Sequence, residues 1–184
     1  MVSLGAYIRL QGAWLSQSVP LIPIAIRWIL LCRHSKAFGK ELKSPSPEAH
    51  RSWLIGILGF SLAGLAIITS SPALPDLKYA AYDLVIGFCL TNLAMAIQSY
   101  KARFWQDQLA DSLRDGASGC IAMFILRLTA ALELRTQLDS QCVWVVAILA
   151  LLAWMVEWVP SVKKSVDYAA SLALTRPIQK VPGA

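Results

Sequence analysis

Asp107, Asp111 and Asp115, in the stretch DQLADSLRDG, recur at every fourth residue, a spacing that sets three carboxylates along one helix face. A carboxylate ladder at a membrane surface is one way to hold a divalent cation for phosphoalcohol transfer between lipids, because hard cations take several oxygen ligands at once. The flanking pattern that such chemistry needs is absent here, since no Ala-Arg follows Gly116. The ladder therefore reads as a solvated helix face, salt-bridged to Lys101, Arg103 and Arg114, and no metal ligand is assigned.

A second chemical feature is Arg127, set in the apolar run CIAMFILRLTAAL. A guanidinium does not lose its proton in a protein, and carrying it toward the middle of a bilayer costs several kcal/mol. With the run extending from about Gly116 to Leu134, Arg127 falls about 10 Å below the nearer boundary, too deep to snorkel with ease. It needs an internal partner. Asp83 lies about six residues inside the preceding apolar run, at a similar depth if the two runs are antiparallel neighbours, and shares a face with Gly87, Leu90, Ala94 and Gln98. Asp83 and Arg127 are accordingly expected to form a hydrogen-bonded ion pair, either in the interior or across a subunit interface. Asn92 and Gln98 are further candidates for a polar pathway with that pair.

Nothing else in the chain carries catalytic chemistry. HExxH, GxSxG, P-loop and GxGxxG patterns do not occur, and the two histidines, His34 and His50, sit in a basic loop. Cys32, Cys89, Cys120 and Cys142 lie singly, without metal spacing, and read as small apolar residues at or inside spans. No catalytic residue and no cofactor is assigned, and the expectation is a protein without enzymatic activity.

The elements that carry these residues are set by composition. With 57% apolar and 15% charged residues in 184, the chain reads as an integral membrane protein. A span takes about 20 apolar residues, and the runs Trp53 to Thr69, Leu77 to Gln98, Gly116 to Leu134 and Cys142 to Val159 are of that order. Short connections at SSPALPD and RTQLDS make each successive pair an antiparallel hairpin. The expected fold is all-α, a polytopic transmembrane helical bundle of four spans in two hairpins, with a further apolar helix before them.

That N-terminal helix is ambiguous. Residues 13–32 contain VPLIPIAIRWILLC, apolar enough to enter the bilayer with Arg27 snorkelling out, yet the prolines shorten the uninterrupted run to about 14 residues. An interfacial or re-entrant helix is favoured over a crossing. The N-terminus lacks the pattern of a cleaved signal peptide. Residues 1–32 thus form an N-terminal segment, 33–52 a basic loop, 53–160 the four-helix bundle and 161–184 a basic tail.

Lys and Arg set the orientation. Arg33, Lys36, Lys40, Lys43 and Arg51 lie before the first clear span, Lys101, Arg103 and Arg114 between the second and third, and Lys163, Lys164, Arg176 and Lys180 after the fourth. Each tight turn carries only Lys78 or Arg135. The positive-inside rule then puts the three basic segments and the C-terminus in the cytoplasm of a cell whose inner (plasma) membrane the chain crosses. Trp53, Trp105, Trp154 and Trp158 fall near the cytoplasmic boundary and Trp144 near the outer one, as an interfacial belt would have them.

Gly56, Gly59 and Ala63 recur at helical spacing and form a small-residue face, suited either to the hairpin partner or to another subunit. A net charge of +6, concentrated on the cytoplasmic side, suits anionic lipid. Interleaved stacking aromatics are scarce, which disfavours nucleic acid. The expected partners are membrane lipids, a second copy of the chain and a soluble cytoplasmic protein. The leading functional expectation is a self-associating anchor, sensor or membrane-perturbing effector; the alternative is a channel or small-solute transporter subunit whose path forms between subunits.

Overall fold

The computed structural model describes residues 18–40, 48–70, 74–99, 103–136 and 140–174. The stretch before Ser18, part of the basic loop, the centres of both tight turns, Lys101 and the end of the tail lie outside the described residues, as do the side chains of Trp53 and His50. Every described element is helical: α1 (Leu21–Cys32), a 3-10 turn (Ser35–Ala37), α2 (Glu48–Thr69), α3 (Leu74–Ser99), α4 (Phe104–Thr136) and α5 (Ser140–Leu174). Three stretches are long and apolar enough to cross a membrane: Leu77–Gln98, Phe104–Glu133 and Gln141–Leu174. The described apolar stretch of α2, Leu54–Thr69, is shorter.

Helix α4 is the wall against which the others are built. Of its apolar span 61% is buried, against 22% for α5 and 33% for α3. The cause is local sequence: Gly116-Ala-Ser-Gly-Cys120 strings small residues along just over one turn, so neighbouring helices approach the backbone closely. A methyl group placed on Gly87 of α3 would stand 3.1 Å from Cβ of Cys120, and one placed on Gly119 would stand 3.0 Å from the Trp154 ring of α5. Helix α3 packs on α4 over the widest contact, α5 packs on another side of α4, and α2 packs mainly on α3. Leu84, Ala80, Leu77, Ile68 and Phe124 form the buried cluster shared by α2, α3 and α4. The outward faces stay apolar, with Ile148, Leu149, Leu152, Met155 and Val156 of α5 all exposed.

Helix α1 spans 12 residues, about 18 Å, well short of a hydrocarbon layer of about 30 Å. It lies against α4 and α5. Pro20 at its N-cap has φ −62°, already helical, and Pro23 falls in the first turn, where a missing N–H removes no intrahelical bond. Beyond Cys32 the 3-10 turn folds back, and Leu31, Ala37, Phe104 and Ala169 close a cluster that ties α1 to the start of α4 and the end of α5. Phe38 reinforces it, 5.7 Å from the Trp28 ring and 6.3 Å from Phe104.

Several expectations change. Helix α4 begins at Phe104 rather than near Gly116, so the aspartate ladder belongs to the same helix as Arg127. Helix α5 continues through Pro160 to Leu174 instead of ending at Val159. Proline removes one backbone donor, yet burial of Val162 and Ala169 on the far side holds the helix together. Trp154 and Trp158 are not belt residues: both are buried, with Trp154 Nε1–H donating to the Asp115 carbonyl at 3.1 Å. Trp105 and Trp144 are exposed. The small-residue face has no close partner among the described residues, since Gly56 and Gly59 have nothing within 4 Å of a built Cβ and Ala63 is exposed. The buried face of α2 is instead Leu54, Ile57, Ser61 and Ile68.

These two glycine environments predict opposite responses to the same substitution. Gly87→Leu should force α3 off α4 and cost about 1–3 kcal/mol or more of stability, whereas Gly59→Leu should leave the folded chain within about 0.5 kcal/mol of the parent. Denaturant unfolding in detergent measures both. Equal losses in the two variants would contradict the packing.

Candidate functional site

Arg27 is the single charge of α1, and it shares a face with Pro23 and Leu31 at intervals of four residues. All three are buried, and Arg27 is 0% exposed. It does not snorkel to an aqueous face. The guanidinium instead enters a polar pocket built by α4 and α5. Nη1 donates to Gln108 Oε1 at 3.2 Å and to Ser165 Oγ at 2.9 Å, and lies 3.5 Å from Asp111 Oδ2. Nη2 donates to Ser161 Oγ at 2.7 Å and to the carboxylate of Asp115, itself 0% exposed.

The second cation of this cluster is Arg114. Its Nη1 lies 3.2 Å from Asp111 Oδ1, and its Nη2 donates to Asp115 Oδ1 at 3.2 Å and to Ser161 Oγ at 3.1 Å. Two guanidinium groups and two carboxylates thus alternate in space, with opposite charges adjacent. Moving any of these ions alone from water to an apolar interior costs several kcal/mol, and only reciprocal pairing with satisfied lone pairs offsets it. The spacing supplies that pairing: Gln108, Asp111 and Asp115 fall at i, i+3 and i+7 of α4, and Ser161 and Ser165 at i and i+4 of α5.

The aspartate ladder is therefore not a solvated face. Asp115 is sealed, the Asp111 side chain is 15% exposed, and their partners are Arg27 and Arg114. The carboxylate oxygens of Asp111 and Asp115 that a cation would need face guanidinium N–H groups. Among the described residues no three His, Cys, Asp or Glu side chains converge as metal ligands.

Twelve residues further along α4, a rise of about 18 Å, is the second buried charge pair. Arg127 Nε lies 2.8 Å from Asp83 Oδ2, with Arg127 5% and Asp83 0% exposed. The Nε–H is not aimed along that line, so charge rather than an aligned hydrogen bond holds the contact. The Tyr79 ring, one turn before Asp83, lies 5.3 Å from the guanidinium carbon and adds a cation–π contact.

The remaining residues singled out in the sequence lie elsewhere. Asn92 is about 14 Å along α3 from Asp83 and faces outward, its Nδ2 donating to the Phe88 carbonyl at 2.9 Å. Gln98, at the other end of α3, is half-buried. Neither joins Asp83 and Arg127 in a common lumen. Gly56 and Ala63 line open apolar cavities on the flank of α4, between α2 and its neighbours.

The residues that sequence reading missed are Arg27 as a network member and Ser161, Ser165 and Gln108 as its ligands. A signal existed in the polar stripe Gln108, Asp111, Ser112, Asp115 and Ser118, which runs on into the apolar half of α4 where a solvated face would have ended. No protein family, curated protein or solved structure matches the chain.

Single replacements Asp83→Leu and Arg127→Leu each leave a buried ion without its counter-charge and should each cost about 3–5 kcal/mol. The double variant should recover most of that loss. A double-mutant cycle in denaturant unfolding measures the coupling; strictly additive losses would show that the two charges do not depend on one another.

Proposed function

We propose that the chain is a multi-pass inner-membrane protein without catalytic activity, which self-associates and serves as a membrane anchor, sensor or membrane-perturbing effector. The observation that carries this reading is the mutual pairing of its intramembrane charges. Arg27 with Asp115, and Arg127 with Asp83, are closed on one another inside a single chain. Charges that serve a conduction or proton path face water or substrate, whereas charges sealed in pairs act as clasps between helices. In this reading α2 is a fourth span, the four long helices form two antiparallel hairpins, and the C-terminus lies in the cytoplasm with the basic segments.

Self-association uses the outward face of α2. A Cβ built on Gly56 or Gly59 has nothing within 4 Å among the described residues and Ala63 is exposed, and such a face lets a second helix approach closely enough for dispersion to hold it. The basic loop and tail then lie along anionic lipid or meet a soluble cytoplasmic partner. A second reading, a channel or small-solute transporter subunit with its path between subunits, draws support from Asn92, whose amide faces outward from the apolar part of α3.

Purified protein reconstituted in nanodiscs and liposomes separates the two. The expected outcome is a defined homo-oligomer that Gly59→Leu reduces to folded monomer, with ion and solute flux at the level of empty liposomes. A monomeric parent protein would remove the self-association, and flux abolished by Asn92→Leu would replace the first reading with the second.

A further inference from the structure

Helix α1 is held in two different ways along its length. At its C-terminal end it runs into the 3-10 turn, which is pinned by the cluster of Leu31, Ala37, Phe104 and Ala169. The Lys40 ammonium donates to the Leu172 carbonyl, and the Phe104 N–H donates to the Lys40 carbonyl at 3.0 Å. Further in, the charged hold is Arg27. The inward apolar contacts of α1, Ile24 against Gly116 among them, have near equals in lipid tails and add little preference for the docked position. Its outward face, with Leu21, Ile22, Ile26 and Ile29, is apolar and exposed. One guanidinium therefore decides whether this helix is docked.

The seat of that guanidinium is built entirely by the rest of the chain. Nη1 meets Gln108 Oε1, Ser165 Oγ and Asp111 Oδ2, and Nη2 meets Ser161 Oγ and the Asp115 carboxylate, all of them on α4 or α5. With Arg27 withdrawn, Asp111, Asp115 and Arg114 remain, one negative charge in excess, so a replacement cation is strongly favoured there. The withdrawn helix also has somewhere to rest. Arg27 lies five residues, about 8 Å, from the C-terminal end of α1, so a helix swung out about the pinned turn lies along the interface with its guanidinium among headgroups.

We propose that this cage on α4 and α5 is a binding site for a small guanidinium compound and that α1 is its latch. Ligand and Arg27 exclude each other, and the bound ligand holds α1 out at the membrane interface. The cage selects a planar fork over a single ammonium, because one nitrogen cannot serve the Gln108–Ser165 and Ser161–Asp115 acceptors together. As a tethered competitor, Arg27 lowers the apparent affinity of the ligand. The proposal goes beyond the clasp described above and rests on the membrane reading of the chain, not on its self-association.

The test uses the full-length protein in lipid nanodiscs, with methylguanidinium and methylammonium as probes and binding followed by saturation-transfer NMR. Arg27→Ala should bind methylguanidinium at least about tenfold tighter than the parent does, because the tethered competitor is gone. It should bind methylammonium about tenfold more weakly, the factor that one charge-assisted hydrogen bond gives. Adding Asp115→Asn to Arg27→Ala should abolish binding. The latch is read in a chain that keeps Arg27: Pro23 lies on the buried face of α1 outside the cage, so a thiol there is shielded while the helix is docked. Maleimide labelling of Pro23→Cys, followed by mass spectrometry, should accelerate about tenfold with saturating methylguanidinium and not with methylammonium. That arm leaves the clasp intact and decides the matter even where Arg27→Ala does not fold. A folded Arg27→Ala that binds neither probe, or both alike, would overturn the site, and an unchanged labelling rate would overturn the latch. Release of the parent chain by alkaline extraction of its membranes would instead refute the membrane reading itself.

Discussion

The arrangement depends on a guanidinium that has nowhere to go. Arg27 cannot be neutralised, and α1 is too short and too enclosed to lift it to water, so the fold must bring counter-charge to it. Asp115 and Asp111 supply that charge from α4, and Ser161 and Ser165 complete the shell from α5. Partners 81 to 138 residues away from Arg27 in the chain are thereby fixed with it in one geometry. Apolar faces in lipid have little preference among partners, since hydrocarbon outside is as good a neighbour as leucine inside. Paired charges do discriminate, because a misplaced helix would leave an ion uncompensated.

Helix α4 is where that discrimination is concentrated. Toward its N-terminal end it carries Asp111, Arg114 and Asp115 of the four-ion cluster and toward its C-terminal end Arg127, with small residues between that let α3 and α5 sit close to the backbone. The helix is thus polar at two depths and tightly packed in the middle, so the register of its neighbours is set twice over. The cluster at one end orders α1 and α5; the pair at the other orders α3. What this leaves is an open apolar groove on the side of α4 between α2 and α5.

How much of this could be read in the sequence follows from the range of each interaction. The nearness of Asp83 and Arg127 was legible, because both lie on successive apolar runs and their depths can be counted in residues. The Arg27 cluster was not. Spacing of four places Asp107, Asp111 and Asp115 on one face but does not say what that face meets, and the partner sits on a short helix far away in the chain. Trp154 and Trp158 misled for a related reason: an indole near a span end suits an interface, yet Gly119 opens a recess on α4 that receives the Trp154 ring. The apolar run ends at Val159, and the burial of residues beyond Pro160 that continues the helix is a tertiary effect. The all-helical fold and its long apolar helices were evident from composition and periodicity alone, since in lipid the backbone must satisfy its own hydrogen bonds.

The central claim, that the buried charges of this chain are held by one another, is tested most directly at Arg27. Solid-state NMR of the protein in lipid bilayers, with guanidinium nitrogens and aspartate carboxyl carbons labelled, measures the distance from Arg27 to Asp115. The account predicts a dipolar coupling corresponding to about 4 Å or less, lost in Asp115→Asn and without rapid exchange of the Arg27 N–H protons with water. An Arg27 side chain that exchanges freely with water and shows no coupling to Asp115 or Asp111 would contradict it.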